Sequence, residues 1–327
     1  MLWHLKAFVA LIAYSVLAMM TWQSIRYTTR PRRSTTRDTP EPYNVTTPAP
    51  SSALITLFTT FRLAQLKTAT YRNTIRNWGL LAPYVRPVLY YTVGDDCLTE
   101  FARMHGWAVY ECPRVGKSHL PILRSMFLHA QSINRITPFY GYANSDILFD
   151  RNLVSTLEAL KNSSYRFKQL LIIGRRANYQ FKQNHEIHDL SSINQYVRNG
   201  DLFQISALDY FISTHSGYPW DSIPDFVVGR IGYDNWLVVT AVKRNISVVD
   251  ATPTLSALHQ TGPEGNYASH SKEVRDTYVN LKLVVNPFDY TLGFTTCSHF
   301  ITQWVGSHVT IIERPKEIRI ANKCPYT

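Results

Sequence analysis

Residues 120–149 read LPILRSMFLHAQSINRITPFYGYANSDILF, and this stretch decides the fold class. The apolar residues of its first half recur at helical spacing: Leu123, Met126, Phe127, Ala130 and Ile133. They predict a helix over residues 120–133, and the apolar run over residues 139–143 predicts a buried strand. The strand leads into Asn144 and Asp146. A helix followed by a buried strand that ends on polar residues is typical of α/β proteins.

The same alternation continues on both sides of this stretch. Toward the amino terminus, short apolar runs predict strands and amphipathic runs predict helices: strands over 53–58, 88–91 and 108–110, helices over 67–80 and 97–105. Toward the carboxyl terminus, the patterns predict strands over 169–173, 205–212, 225–228 and 247–250, and a helix over 232–242. We therefore expect a mostly parallel sheet with helices on both faces, with ligands at the carboxyl ends of its strands.

Composition narrows the class of protein. The chain has 327 residues, of which 45% are hydrophobic, so it can bury a large core and is not disordered as a whole. Its net charge of +11 favours an anionic partner such as nucleic acid, phospholipid or a phosphate-linked substrate. No nucleic-acid-binding signature is present, so nucleic acid is not expected. The four cysteines form no C-x-x-C pair, and they fit either one or two disulfides or buried free thiols.

The amino-terminal region predicts a membrane anchor. Residues 7–25 read AFVALIAYSVLAMMTWQSI, and a helix of that length spans about 28 Å, close to the roughly 30 Å hydrocarbon core. A cleaved signal peptide is the alternative, but the cleavage pattern is poor. Residues 1–6 are then a short tail, the Pro-, Thr- and Arg-rich residues 26–52 a stem, and residues 53–327 the folded domain. The arginines after the span favour a cytosolic domain by the positive-inside rule.

Two strand ends carry candidate ligand-binding residues. Asn144 and Asp146 offer the oxygen ligands that Mg²⁺ or Mn²⁺ prefers, although both residues could equally cap a helix or form a turn. Arg175 and Arg176 follow Gly174 at the end of the strand over 169–173. Arginine suits bidentate phosphate contacts, although a solvated basic pair is the simpler interpretation.

A loop and a lone histidine complete the candidates. Residues 229–236 read GRIGYDNW and place Arg230, Asp234 and Asn235 just before an apolar helix. Asp234 near the helix amino terminus is expected to stay ionised, as a general base requires, or to act as an N-cap. His259 precedes a Gly-rich loop that could close over a site, although a lone histidine is more often structural.

In combination these blocks resemble GT-A-like nucleotide-diphospho-sugar transferases, a largely uncharacterised group found in bacteria and invertebrates. The resemblance extends over about residues 53–285. It rests on the order and spacing of seven blocks: LPILRSMFLHA at 120, YANSDI at 142, IGRR at 173, DYFI at 209, PDFVVGRIGYDNWL at 224, VDAT at 249 and HQ at 259. The implied fold is a GT-A type, Rossmann-like sandwich.

The resemblance also implies site residues. Asn144-Ser-Asp146 takes the place of the family's Asp-x-Asp metal motif, with Asn in the first position, and His259 matches a late histidine that contacts metal or diphosphate. Asp234 matches the catalytic base of inverting relatives. Thr59 and Thr60 fall where such folds hold the nucleotide base. Together with Arg175, Arg176, Arg230 and Asn235, they are the predicted substrate-binding residues.

The resemblance implies a membrane-anchored glycosyltransferase. Such an enzyme moves a sugar from a nucleotide-diphosphate donor to a hydroxyl of a glycan or protein acceptor, with Mn²⁺ or Mg²⁺ as the cofactor. It also implies a Golgi or ER enzyme with a lumenal domain, and this outweighs the charge-based orientation. Two alternatives remain: a catalytically inactive protein with the same fold, and a membrane protein that binds anionic glycans or lipids.

Overall fold

The computed structural model describes residues 53–61, 68–92, 96–116, 119–182, 184–262, 278–284, 286 and 292–325. All of them belong to the compact unit Pro50–Thr327. No helix in these ranges is long and apolar enough to cross a membrane. The transmembrane helix predicted over residues 7–25 and the stem predicted over residues 26–52 lie outside the described residues.

Strands and helices alternate through the first half of the chain, as the sequence predicts. The elements are β1 (Ile55–Thr60), α1 (Thr68–Gly79), β2 (Val85–Tyr91), α2 (Asp96–Met104), β3 (Ala108–Glu111), α3 (Leu123–Ile133), β4 (Phe139–Ala143), β5 (Ile147–Phe149) and α4 (Asn152–Lys161). The second half is less regular and contains β6 (Leu170–Ile173), β7 (Ala177–Gln180), α5 (Ser191–Asn199), β8 (Asp201–Leu202), β9 (Tyr210–Thr214), α6 (Tyr233–Lys243), β10 (Ser247–Asp250), β11 (Ala257–Thr261), β12 (Phe300–Val305), β13 (His308–Glu313) and α7 (Lys316–Ala321).

The strands form a large mixed sheet and a smaller one. The large sheet has nine strands in the order β13-β12-β10-β6-β9-β4-β1-β2-β3. Seven of its strands run in the same direction, and β9 and β13 run antiparallel to their neighbours. The smaller sheet has the order β5-β11-β7-β8. The expected α/β class and predominance of parallel strands are confirmed, but the second sheet was not predicted.

Two predicted strands differ from the structure. The strand predicted over residues 205–212 begins only at Tyr210, because residues 204–207 form a turn in which the backbone N–H of Ala207 donates to the carbonyl of Gln204. The strand predicted over residues 225–228 is absent. Its Val227 makes only an isolated bridge to Ile122 just before α3, because the side chain of Asn280 bonds the backbone N–H and C=O of Val227.

Hydrophobic side chains of the large sheet pack on both faces. On one face Leu57 belongs to a core with Trp78 of α1 and Leu157 of α4. On the other face Phe58 packs with Phe127 of α3, and Leu237 of α6 belongs to the same core. Because successive residues of a strand point to opposite faces, β1 contributes to both cores. Helices therefore cover both faces, as expected for an α/β sandwich.

One disulfide closes the carboxyl-terminal region. Cys297 and Cys324 are bonded, and both are buried. Cys112 is a buried free thiol and Cys97 is an exposed one. The alternative of one or two disulfides is therefore confirmed with one disulfide, and the other two cysteines are free thiols.

Candidate functional site

The candidate residues meet at one edge of the large sheet. Asn144 and Asp146 follow β4, and Arg175 and Arg176 follow β6. Strand β9 lies between β4 and β6 and runs antiparallel to both, so Asp209 just before it reaches the same edge. Sequence reasoning missed Asp209, because nothing in the sequence signals the reversed direction of β9.

Asp209 connects the two strand ends. Its carboxylate forms a short ion pair with the guanidinium of Arg176, and both side chains are buried. The Nδ2 of Asn144 donates to Oδ1 of Asp209 at 2.5 Å. The guanidinium of Arg176 also donates to Asn178 and lies 4.6 Å from the ring centroid of Phe203. The positive charge of Arg176 is therefore held in a fixed position at the site.

These contacts give a physical reason for asparagine at position 144. An aspartate there would place a second carboxylate against Asp209 in a buried setting, where like charges repel strongly. The amide instead donates to Asp209, while its Oδ1 accepts from the hydroxyl of Tyr142 at 3.0 Å. The role of Asn144 as a metal ligand stays a prediction, and in this structure both ends of its amide contact protein.

Asp146 and His259 form the second part of the site. The antiparallel pairing of β5 with β11 sets His259 opposite Ile147, and the backbone N–H of Gln260 donates to the carbonyl of Asp146. As a result Nε2 of His259 lies 3.4 Å from Oδ2 of Asp146. His259 is buried, and its Nδ1 lies 3.2 Å from Oγ1 of Thr261.

The donor set of this pair fits a shared divalent cation. Donor atoms that each lie about 2.1 Å from one cation are roughly 3–4 Å apart, which matches the separation of Nε2 and Oδ2. The described residues contain no group of three or more His, Cys, Asp or Glu side chains that could hold a metal ion. A cation bound by the pair of Asp146 and His259 would therefore take its other ligands from substrate phosphates and water, as Mg²⁺ usually does.

Asp234 lies in the first turn of α6, where Gly232 adopts φ 100° and directs the chain into the helix. Burial, with a smaller contribution from the nearby carboxylate of Asp209, raises the pKa of Asp234 to about 7. Backbone N–H groups at the start of the helix oppose this shift without overcoming it. The expectation that the helix amino terminus keeps Asp234 ionised is therefore wrong, because desolvation outweighs the backbone dipoles.

Two buried tyrosines interact with the aspartates of the site. Tyr142 and Tyr233 affect each other's pKa, and Tyr233 precedes Asp234 in the chain and feels its charge. The charges of Asp146 and Asp209 both raise the pKa of Tyr142, after burial as the larger cause. Asp146, Asp209 and Asp234 are thus carboxylates of one connected cluster.

The remaining predicted residues have different surroundings. The Oγ1 of Thr59 is buried without a hydrogen-bond partner in the described part of the chain, and Thr60 ends β1 half-buried. Arg230 is buried and donates to the carbonyl of Gly229. Asn235 donates to the carbonyls of Ser206 and Gly293, which ties α6 to two loops.

Arg175 has different hydrogen-bond partners from Arg176. Its Nε donates to the carbonyl of Phe203 at 2.5 Å and its Nη2 to the carbonyl of Leu202 at 3.3 Å. The guanidinium is therefore held against β8, and it does not share the ion pair of Arg176 with Asp209. The two adjacent arginines therefore contact different parts of the fold: Arg175 contacts β8, and Arg176 contacts Asp209.

Comparison with solved structures gives distant similarities. Glucosyl-3-phosphoglycerate synthase from Mycobacterium tuberculosis, in complex with Mn²⁺, UDP and glucosyl-3-phosphoglycerate, is 13% identical with a TM-score of 0.41, over 80% of this chain and 88% of that chain. Another structure of the same synthase is 10% identical with a TM-score of 0.43, over 82% and 92%. A protein provisionally assigned as a nucleotide-diphospho-sugar transferase, from Desulfovibrio desulfuricans G20, is 12% identical with a TM-score of 0.36, over 70% and 94%.

No protein-family model matches the sequence, and no curated protein matches it. The structural neighbours are nucleotide-diphospho-sugar transferases, the group that the sequence resembles. At these identities and TM-scores, the function of this chain has to be argued from its own residues.

Proposed function

We propose that the chain is a glycosyltransferase, which moves a sugar from a nucleotide-diphosphate donor to an acceptor hydroxyl with Mn²⁺ or Mg²⁺. The observation that carries the proposal is the convergence of three groups at one edge of the sheet. A potential cation-binding pair (Asp146 and His259), a fixed buried arginine (Arg176) and a carboxyl group with a pKa of about 7 (Asp234) lie in one cluster. These three kinds of group accelerate the displacement of a diphosphate by a hydroxyl.

Each group has a role in this proposal. A cation held by Asp146 and His259 would neutralise charge on the diphosphate leaving group. The guanidinium of Arg176 adds a second positive charge whose position is already set by Asp209, so it needs no reorganisation during the reaction. In an inverting reaction Asp234 accepts the proton of the acceptor hydroxyl, and in a retaining reaction it orients the acceptor.

We predict that Asp146→Ala loses the Mn²⁺-dependent part of nucleotide binding, because it removes the only carboxylate of the proposed pair. UDP with Mn²⁺ or Mg²⁺, which is present in similar solved structures, is the first combination to test. At a nucleotide concentration about 100 times Kd, binding stabilises the fold by about 2.7 kcal/mol. We expect thermal-shift measurements with UDP, GDP and CMP, with Mn²⁺ or with EDTA, to show this gain in the wild-type protein and not in Asp146→Ala.

The matched control is Glu158→Ala, which removes an exposed carboxylate on α4. It should keep the full Mn²⁺-dependent shift. An Asp146→Ala protein with the same shift as wild type would show that Asp146 is only a turn residue. A wild-type shift without hydrolysis or transfer of any nucleotide sugar would favour the inactive, glycosyltransferase-like alternative.

We further propose that residues 7–25 anchor the protein in a Golgi or ER membrane and that residues 27–327 are lumenal. Two N-glycosylation sequons, Asn-Ser-Ser at Asn162 and Asn-Ile-Ser at Asn245, support this proposal. Both asparagines are exposed in turns after helices. A third sequon, at Asn44, lies outside the described residues.

We predict that endoglycosidase increases the electrophoretic mobility of the expressed protein, and that Asn162→Gln with Asn245→Gln removes most of this change. An unmodified protein would contradict a lumenal domain.

A further inference from the structure

A polar cavity of about 240 Å³ lies beside the sheet edge and shares no lining residue with the Asp146–His259 pair or with Asp234. Residues from α4, α5, β8, β12 and the segment between β10 and β11 line it. The side chains of its lining that carry the argument are Asn152, Arg175, Asn194, Arg198, Ser256 and Trp304. Charged, amide, hydroxyl and aromatic groups are therefore gathered around a space the size of a small ligand.

Two arginines give the cavity a positive charge. Arg175 lines the cavity and is held in place by the carbonyls of Leu202 and Phe203. Binding of a ligand to its guanidinium would therefore cost little further side-chain entropy. Arg198 stands exposed near the end of α5. Arginine presents several N–H donors in a plane that matches the oxygens of phosphate or carboxylate.

The acidic groups behind the cavity wall have other partners within the fold, although the charge of Arg175 also acts on Asp250 and opposes the rise of its pKa that burial causes. Asp250 forms a buried ion pair with Arg314 at 2.7 Å. Asp150 accepts from the amide of Asn194 and from the backbone N–H of Asn152. Burial raises the pKa of Asp150, and the hydrogen bonds that it accepts oppose this shift. Asp150 also fixes the amide of Asn194 at the cavity.

The neutral part of the lining suits a sugar. Asn152 donates to the hydroxyl of Ser256 at 3.0 Å, so an amide and a hydroxyl stand side by side at the cavity. Trp304 on β12 is 40% exposed, although a large aromatic side chain is usually well buried. Its indole presents a flat apolar surface beside these hydrogen-bonding groups, and a sugar ring has both an apolar face and a rim of hydroxyls.

We propose that this cavity is a second ligand site, which binds a sugar phosphate. Arg175 and Arg198 hold the phosphate, the amide and hydroxyl groups contact the sugar hydroxyls, and Trp304 covers the face of the ring. The site does not depend on the proposed transfer activity, because it involves neither the cation-binding pair nor Asp234.

The test is direct binding of glucose 6-phosphate, inorganic phosphate and glucose to the purified full-length chain by isothermal titration. We expect glucose 6-phosphate to bind most tightly and Arg198→Gln to weaken it by about 10- to 100-fold, the usual effect of losing a charge-assisted hydrogen bond. Trp304→Leu should weaken the binding of glucose 6-phosphate and leave the binding of inorganic phosphate unchanged. Arg198 is exposed, so its variant should unfold at the wild-type temperature.

The matched control is Arg103→Gln, which removes an exposed arginine of α2 that does not line the cavity. It should bind all three molecules as wild type does. Binding that Arg103→Gln and Arg198→Gln weaken equally would reflect general charge and would overturn the proposal. Failure of glucose 6-phosphate to saturate the protein at millimolar concentration would also overturn it, as would equal affinity for inorganic phosphate together with an unaffected Trp304→Leu variant.

Discussion

We expect Asp234→Asn to lower the rate of sugar transfer by about 10²- to 10⁴-fold while leaving nucleotide binding intact, which is the usual contribution of a general base. The substitution is nearly isosteric and removes only the ability to accept a proton. Asn caps a helix about as well as Asp, so a pure capping role predicts nearly wild-type activity. Transfer within a few-fold of wild type would therefore remove Asp234 from the catalytic residues.

The pH dependence of transfer gives a second readout of the same group. With a pKa of about 7, Asp234 is half ionised at neutral pH. The wild-type kcat/KM should therefore rise with pH and level off above about pH 7, since only the ionised carboxylate accepts a proton. The residual activity of Asp234→Asn should lack this rise.

As the pH rises, the contribution of Asp234 to the free energy of unfolding should fall while the transfer activity rises. The pKa of Asp234 is about 7 in the fold and near 3.8 when unfolded, so the folded protein favours the neutral carboxyl group. This contribution is fully present below about pH 4 and is lost as the pH rises through 7. The neutral amide of Asp234→Asn avoids that loss, so the variant should be at least as stable as wild type at pH 8. Reduced activity then cannot be attributed to unfolding.

Local patterns were sufficient to predict the α/β class and the elements around residues 120–149. Helical spacing depends on neighbours three or four positions apart, so α3 and β4 could be located from the sequence. The direction of β9 could not, because strand direction depends on which distant strands pair with it. Asp209 was missed for this reason, although it connects β4 to β6.

Proximity in sequence also failed to predict the surroundings of two site residues. Arg175 and Arg176 are adjacent, yet one contacts β8 and the other forms an ion pair with Asp209. The pKa of Asp234 was expected to stay low from its place in α6, but burial and Asp209 reverse the shift. The partners of the two arginines are more than 20 residues away in the chain, and the burial of Asp234 depends on the whole fold, so neither a motif nor a spacing could reveal them.

Asp209→Ala should cost about 3–5 kcal/mol of the free energy of unfolding, because it leaves the guanidinium of Arg176 buried without its carboxylate. Urea denaturation measures this loss. The matched control is Asp225→Ala, whose ion pairs with Arg114 and Arg124 are much more exposed. Exposed pairs contribute roughly 0–1 kcal/mol, so the control should remain close to wild type.

A double variant distinguishes two causes of the lost stability: the unpaired charge of Arg176 and the lost packing. If the cost of Asp209→Ala comes from the unpaired guanidinium, then adding Arg176→Met should recover most of it, since apolar replacement of a buried ion pair is often nearly neutral. If the cost comes from the cavity and the lost hydrogen bond of Asn144, the second substitution should add to the loss. A single variant within about 1 kcal/mol of wild type would contradict the role of Asp209 as the connection between β4 and β6. Recovery in the double variant without recovery of nucleotide binding would show that this ion pair adds little net stability and serves to keep a positive charge where the diphosphate binds.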